Sequence, residues 1–246
     1  MNIKQFLDST YLKTSDQSGL TEEQTWQKVK ELTQEAIDHG IFAVMIRPEY
    51  MSRVRKMIDE AESDVVLGCV ISFHEGDLST EDKLNEAQKA LEDGADELDF
   101  VINYRQFISG NLQFVADEVL QGNRLVLEAG KTIKWIIETA ALNANQIAEI
   151  TDLIRGVTEK NFPGKESRVF VKTSTGFYDS ADGKPIGATI ENVKIMLEHA
   201  GKLPVKAAGG IRTREEAIAM LDLGIKRIGT SSALAISDGA AAEDSY

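Results

Sequence analysis

Strand-length apolar runs recur along this chain, with polar-apolar segments of helical period between them. The runs are Ile41–Ile46, Val65–Ser72, Glu97–Ile102, Ile133–Thr139, Arg168–Ser174, Pro204–Ala208 and Arg227–Ser231. Their hydrophobicity is continuous rather than alternating, as expected of parallel strands covered by helices on one face and packed on the other. Thr21–His39 and Ser79–Glu92 carry a helical pattern, and Gly40, Gly94 and Gly201 stand where a left-handed residue would end a helix. Thr213 with Glu216 predicts a capping box, and Thr21 with Gln24 resembles another. An eighth strand is expected near Gln5–Ser9, ahead of the first long helix. An open doubly wound sheet is the competing architecture, but no GxGxxG follows the first strand, and seven or eight successive βα units suit closure better. The expected fold class is therefore α/β, a single (β/α)₈ barrel over residues 1–246, with 237–246 a flexible C-terminal tail. The length of 246 residues lies close to the roughly 250 of such barrels.

Charge narrows the partners. Lys and Arg total 27 against 40 Asp and Glu, a formal charge of −13. So acidic a surface repels phosphodiester backbones and anionic lipid, which excludes nucleic acid and membrane as expected partners. A small anionic substrate is untouched by this argument, because a few nearby groups set a pocket's potential. Cys69 is the only cysteine, so no intrachain disulfide forms. His39, His74 and His199 lack metal-ligand spacing, and no metal site is expected. Neither a signal peptide's apolar segment nor a run of about 18 apolar residues is present, so cytoplasm is the default location.

In a parallel barrel, chemistry sits where strands end. Lys172 in VFVKTSTG, Lys206 in PVKAAGG and Asp99 in ELDFVI each lie among apolar strand neighbours. Burying such a charge costs free energy unless it is paired, so each alone reads as an edge residue or a structural ion pair. Two lysines on adjacent strands with an aspartate suggest more. Neighbouring cations favour loss of one proton and can bring an amine from about 10.4 toward about 7–8. A neutral amine in a barrel mouth is what Schiff-base chemistry requires. Gly209-Gly210 and Gly229-Thr230-Ser231-Ser232 follow the last two strands, where barrels often cradle phosphate. Ordinary βα turns are the bland alternative for either pair alone.

With these motifs together, the chain resembles the deoxyribose-phosphate aldolase family. VKTSTGF, VKAAGGIRT, GADELDFVIN, RIGTSS and LDSTYL carry the resemblance, in order, from about residue 6 to residue 232. It implies reversible cleavage of 2-deoxy-D-ribose 5-phosphate to D-glyceraldehyde 3-phosphate and acetaldehyde, with no cofactor. The partners implied are the phosphorylated sugar and aldehydes; oligomeric state stays open, a homodimer among the options. By the same resemblance Lys172 is the Schiff-base lysine, Lys206 the lysine that keeps it neutral and shares in proton transfer, and Asp99 the acid/base aspartate acting with water. Asp8 and Thr10 match positions near the substrate hydroxyls and Lys206. Thr175, Gly176, Gly209, Gly210, Gly229, Ser231 and Ser232 match substrate-binding positions, the glycines and serines in phosphate loops. Tyr246 matches a terminal tyrosine that folds over the site.

Three departures stand out. Met45 replaces a cysteine common in relatives, which implies resistance to unsaturated aldehydes. The stretch Ser72–Gly76 lacks a usual proline after Phe73, and only fourteen residues follow Ser232, so the last helix must be short. Trp135 reads as packing, though Lys134 beside it can face the site; His74 reads as a solvated loop residue and Cys69 as a buried small hydrophobe. Other readings of the motifs are a Schiff-base aldolase with a different phosphorylated carbonyl substrate, a non-catalytic phosphosugar-binding barrel, and a metal-dependent aldolase.

Overall fold

The computed structural model describes residues 2–180 and 186–239. Eight parallel strands close into a barrel in chain order: β1 Leu7–Thr10, β2 Ala43–Ile46, β3 Val66–Ile71, β4 Glu97–Val101, β5 Thr132–Ile136, β6 Val169–Lys172, β7 Val205–Ala208 and β8 Arg227–Thr230. Closure runs through β1 pairing with β8, Asp8 opposite Gly229. The main helices are α1 Glu22–His39, α2 Met51–Glu60, α3 Thr80–Glu92, α4 Leu112–Glu128, α5 Ala144–Asn161, α6 Ile190–His199, α7 Arg214–Asp222 and α8 Ala233–Asp238. None among the described residues is long and apolar enough to cross a membrane.

Local chemistry sets the helix ends. Thr21 with Gln24 and Thr213 with Glu216 form the two expected capping boxes, and Asn143 with Gln146 adds one the sequence reading missed. Gly40, Gly94 and Gly201 take positive φ as expected, at 65°, 96° and 59°. The last helix is indeed short; it includes Ser237 and Asp238, which the sequence reading assigned to the tail.

Several strands are shorter than their apolar runs. The segment before β1 coils as a 3₁₀ turn, Ile3–Phe6, so the strand begins at Leu7 rather than Gln5. β5 stops at Ile136, and Glu138 then turns into a left-handed conformation (φ 55°) ahead of a 3₁₀ turn at Thr139–Ala141. β6 ends at Lys172, two residues before the predicted end.

Outward-facing strand residues and the inner faces of the helices make one continuous apolar layer. Trp135 of β5 shows how tightly it is packed. Its indole Nε1 donates to Asn123 Oδ1 at 2.9 Å, and Asn123 in turn donates to Thr158 Oγ1 at 3.1 Å. Gly122 of α4 gives the indole room, since a Cβ there would lie 2.7 Å from Trp135 Cζ2. Inside the strand ring the filling is different, and largely ionic.

Gly122→Ala tests this packing. Helix propensity alone favours alanine by about 1 kcal/mol. Overpacking against an anchored ring costs about 1–3 kcal/mol, and the ring has nowhere to go. Urea denaturation is expected to show a net loss of up to about 2 kcal/mol; a gain would mean that Trp135 yields.

Candidate active site

The barrel interior holds four cationic side chains and three carboxylates. Asp99 lies at its centre, fully buried. Its Oδ1 accepts from Lys134 Nζ at 2.7 Å, and its Oδ2 from Lys172 Nζ at 2.9 Å and Lys206 Nζ at 2.8 Å. Strand register explains the meeting, because Asp99 stands opposite Lys134 and Lys172 opposite Lys206. Asp8 Oδ2 takes a second bond from Lys206, at 2.5 Å, while its Oδ1 lies 3.2 Å from Arg227 Nε. Glu97 closes the floor, with Oε2 2.6 Å from Lys134 Nζ and 2.5 Å from Arg227 Nη2.

Counting each group as charged leaves one cation in excess, four against three. Lys172 is the base that yields. Burial, then the Lys206 and Lys134 ammonium groups, lower its pKa to about 8 against the pull of Asp99. Burial heads these causes, where the sequence reading gave the leading part to neighbouring cations. Burial opposes the charge on Lys134 too, yet Asp99, Glu97 and Asp8 hold its pKa above the ordinary lysine value. Asp99 lies well below the usual carboxylate range, since the three ammonium groups outweigh its desolvation.

Only one of these groups lines the cavity at the C-terminal strand ends. A cavity of about 500 Å³ at the C-terminal ends of β1, β6, β7 and β8 is lined by Lys172 and not by Asp99, Lys206 or Asp8. Thr10, Thr175, Gly176, Gly209, Gly210, Gly229 and Ser231 line it as well. Ser232 does not: its N–H donates to Thr230 Oγ1 at 3.0 Å. Thr10 Oγ1 donates to the carbonyl of Asp8 at 2.9 Å. Gly229 serves Lys206 directly, because a Cβ there would stand 3.2 Å from Lys206 Cε. Tyr246 lies outside the described residues.

The three hydroxyls after Lys172 stitch the barrel rim. Thr173 Oγ1 donates to Ala208 O at 3.1 Å and accepts from Ala208 N at 2.9 Å. Ser174 Oγ lies 2.9 Å from Thr139 Oγ1, and Thr175 is tied to Glu138. Glu138, Lys13 and Gly187 were missed by sequence reasoning, and Leu12, Phe177 and Arg212 were quoted only within their motifs. Gly187 packs on Gly209, where a Cβ would come within 2.2 Å of the Gly209 carbonyl oxygen. His74 is half-buried and stacks on Phe177 with centroids 5.6 Å apart, so it belongs to the wall near the cavity rather than to a solvated loop. Met45 packs with Leu12 and Val70, fully buried. Among the described residues no cluster of three His, Cys, Asp or Glu could hold a metal ion.

Fold and site together define a (β/α)₈ barrel enzyme in which one lysine of a buried charge network lines an open cavity. The chain belongs to the DeoC/LacD aldolase family: residues 10–239 match the profile described as DeoC/LacD family aldolase. It is 37% identical over 241 residues to a deoxyribose-phosphate aldolase from Thermococcus gammatolerans, covering 98% of this chain and 97% of the relative. It is 33% identical to another from Lactiplantibacillus plantarum, covering 96% and 99%. A solved structure described as a unique tetrameric deoxyribose phosphate aldolase from Aeropyrum pernix superposes with a TM-score of 0.77 at 29% identity, over 96% of this chain and 89% of that one. The protein is accordingly an aldolase, a carbon–carbon lyase.

Thr173→Val tests the stitching. The swap keeps the shape and leaves the Ala208 N–H and C=O buried without this partner, a loss of about 1–3 kcal/mol. Denaturation should register it, with faster hydrogen exchange at the Ala208 amide. Unchanged exchange would show that β6 and β7 do not rely on this hydroxyl.

Proposed function

We propose that the protein reversibly cleaves 2-deoxy-D-ribose 5-phosphate to D-glyceraldehyde 3-phosphate and acetaldehyde, with Lys172 as the covalent nucleophile. One observation carries the reading: Lys172 alone among the interior charges reaches the cavity, with its pKa lowered to about 8. A neutral amine adds to the sugar's aldehyde carbon, and loss of water leaves an iminium. The iminium draws electrons from the bond between C2 and C3. As the C3 hydroxyl gives up its proton, that bond breaks and leaves an enamine on Lys172. Protonation of the enamine and hydrolysis then release acetaldehyde and free the amine.

Asp99 and Lys206 sit below Lys172, joined to it through Asp99 Oδ2. This chain of hydrogen bonds supports a role for both in moving protons, through water at the cavity floor. Lys206 is pinned between Asp8 and Asp99, so its ammonium stays beside Lys172 and disfavours a second charge there.

The phosphate belongs at the glycine-lined wall. The N–H groups of Gly176, Gly209 and Gly210 have no acceptor among the described residues, and all three glycines line the cavity. Free backbone donors grouped this way suit an anion, and Lys13 and Arg212 bring positive charge to the same cavity. Bound there, the phosphate orients the sugar and lends binding energy remote from the reacting carbons. Ser231 fits this wall, whereas the Ser232 N–H is already engaged. The reading carries a cytoplasmic setting with it.

Reduction with borohydride in the presence of acetaldehyde, followed by mass spectrometry, is expected to place one ethyl group on Lys172. Lys172→Ala should abolish both the label and acetaldehyde release from 2-deoxyribose 5-phosphate. A label on another lysine, or turnover surviving in Lys172→Ala, would end this assignment.

A further inference from the structure

Glu138 stands just beyond β5 and is about 1% exposed, yet it makes none of the ion pairs of the barrel interior. Its Oε2 accepts from Thr175 twice, from Oγ1 at 2.5 Å and from the backbone N–H at 3.1 Å. Thr175 Oγ1 in turn accepts the N–H of Phe177 at 3.0 Å. The N–H groups on either side of Gly176 are therefore engaged, and Gly176 between them is held at φ 81°. Its own N–H is left without an acceptor among the described residues, at the wall of the cavity. A buried carboxyl placed to use a threonine's amide and hydroxyl together fixes that segment far better than solvent could. Thr175 has both roles of its hydroxyl taken, donating to Glu138 and accepting from Phe177, so its side chain is committed to the wall. Lys172 needs no such clamp, because Asp99 holds its amine from below.

We infer that Glu138 is a positioning residue for the substrate's phosphate: by clamping Thr175 it aims the free N–H of Gly176 at the anion, and so sets the preference for phosphorylated over unphosphorylated sugars. This rests on the aldolase reading above and adds a residue to it. Burial pushes the Glu138 carboxyl above its usual range despite the two Thr175 bonds. Glutamine keeps an oxygen that accepts from Thr175.

The test compares 2-deoxyribose 5-phosphate with unphosphorylated 2-deoxyribose in wild type, Glu138→Ala and Glu138→Gln. In Glu138→Ala, KM for the phosphate ester should rise about tenfold, the worth of one hydrogen bond to a charged group. kcat/KM for 2-deoxyribose should stay within about twofold, since that sugar has no phosphate to place. Glu138→Gln should restore the KM of the phosphate ester. Binding of inorganic phosphate, followed by calorimetry, needs no turnover and should weaken by the same factor in Glu138→Ala. If Glu138→Ala does not fold, Glu138→Asp draws the carboxyl back from Thr175 by one methylene and should show the same selective loss. Equal losses on both sugars would mean that Glu138 acts through Lys172 or through stability, and would overturn the inference. Unchanged phosphate affinity would overturn it too. Wild-type enzyme that binds phosphate in a Glu138-dependent way but fails to cleave the phosphate ester would count against the substrate reading alone.

Discussion

Charge balance inside the strand ring governs the rest of this molecule. Barrels of this kind usually fill their interior with branched apolar side chains. Here Asp8, Glu97 and Asp99 share it with Lys134, Lys172, Lys206 and Arg227, all nearly or fully buried. Low dielectric makes an unmatched charge costly, and each carboxylate here is matched by at least two cationic groups. The surplus falls on the base with the fewest anionic neighbours. Lys134 pairs with Asp8, Glu97 and Asp99, Lys206 with Asp8 and Asp99, and Lys172 with Asp99 alone. It is also the one at the cavity. The same imbalance that lowers its pKa leaves it where a carbonyl carbon can reach it.

Above this network, fixed backbone takes over from fixed charge. β6 ends at Lys172, and the next three residues spend their hydroxyls on neighbouring strand ends, at Ala208, Thr139 and Glu138. Backbone bonds run one residue past the strand, from the Thr173 N–H to the Lys206 carbonyl and from the Thr139 N–H to the Thr173 carbonyl, and side-chain bonds then take over. The amine and the glycine wall then stand on one rigid rim, as orientation of a two-ended substrate demands.

Much of this was legible beforehand. Seven strands followed from continuous apolar runs, and Lys172, Lys206 and Asp99 drew notice because charge inside such a run needs a reason. Their meeting at one carboxylate oxygen follows from parallel register, which brings equivalent positions of adjacent strands level. Glu138 was not legible: IIET reads as a strand, and nothing local announces that its glutamate turns left-handed and bonds a threonine 37 residues on. The extent of the network was equally hidden. Glu97 and Arg227 open their runs, where polar residues look solvated, yet the barrel floor buries them. At Ser232 the loop motif did not reveal that the N–H bonds its own threonine, Thr230.

Titration of the lysine side chains by NMR in the free enzyme, with Lys172 assigned through its absence in Lys172→Met, bears most directly on the charge argument. Lys172 should lose its proton near pH 8. Lys134 should still hold its own proton well beyond that point, among its three carboxylates. A Lys172 that stays charged to about pH 10.4, as an unperturbed lysine does, would contradict the account.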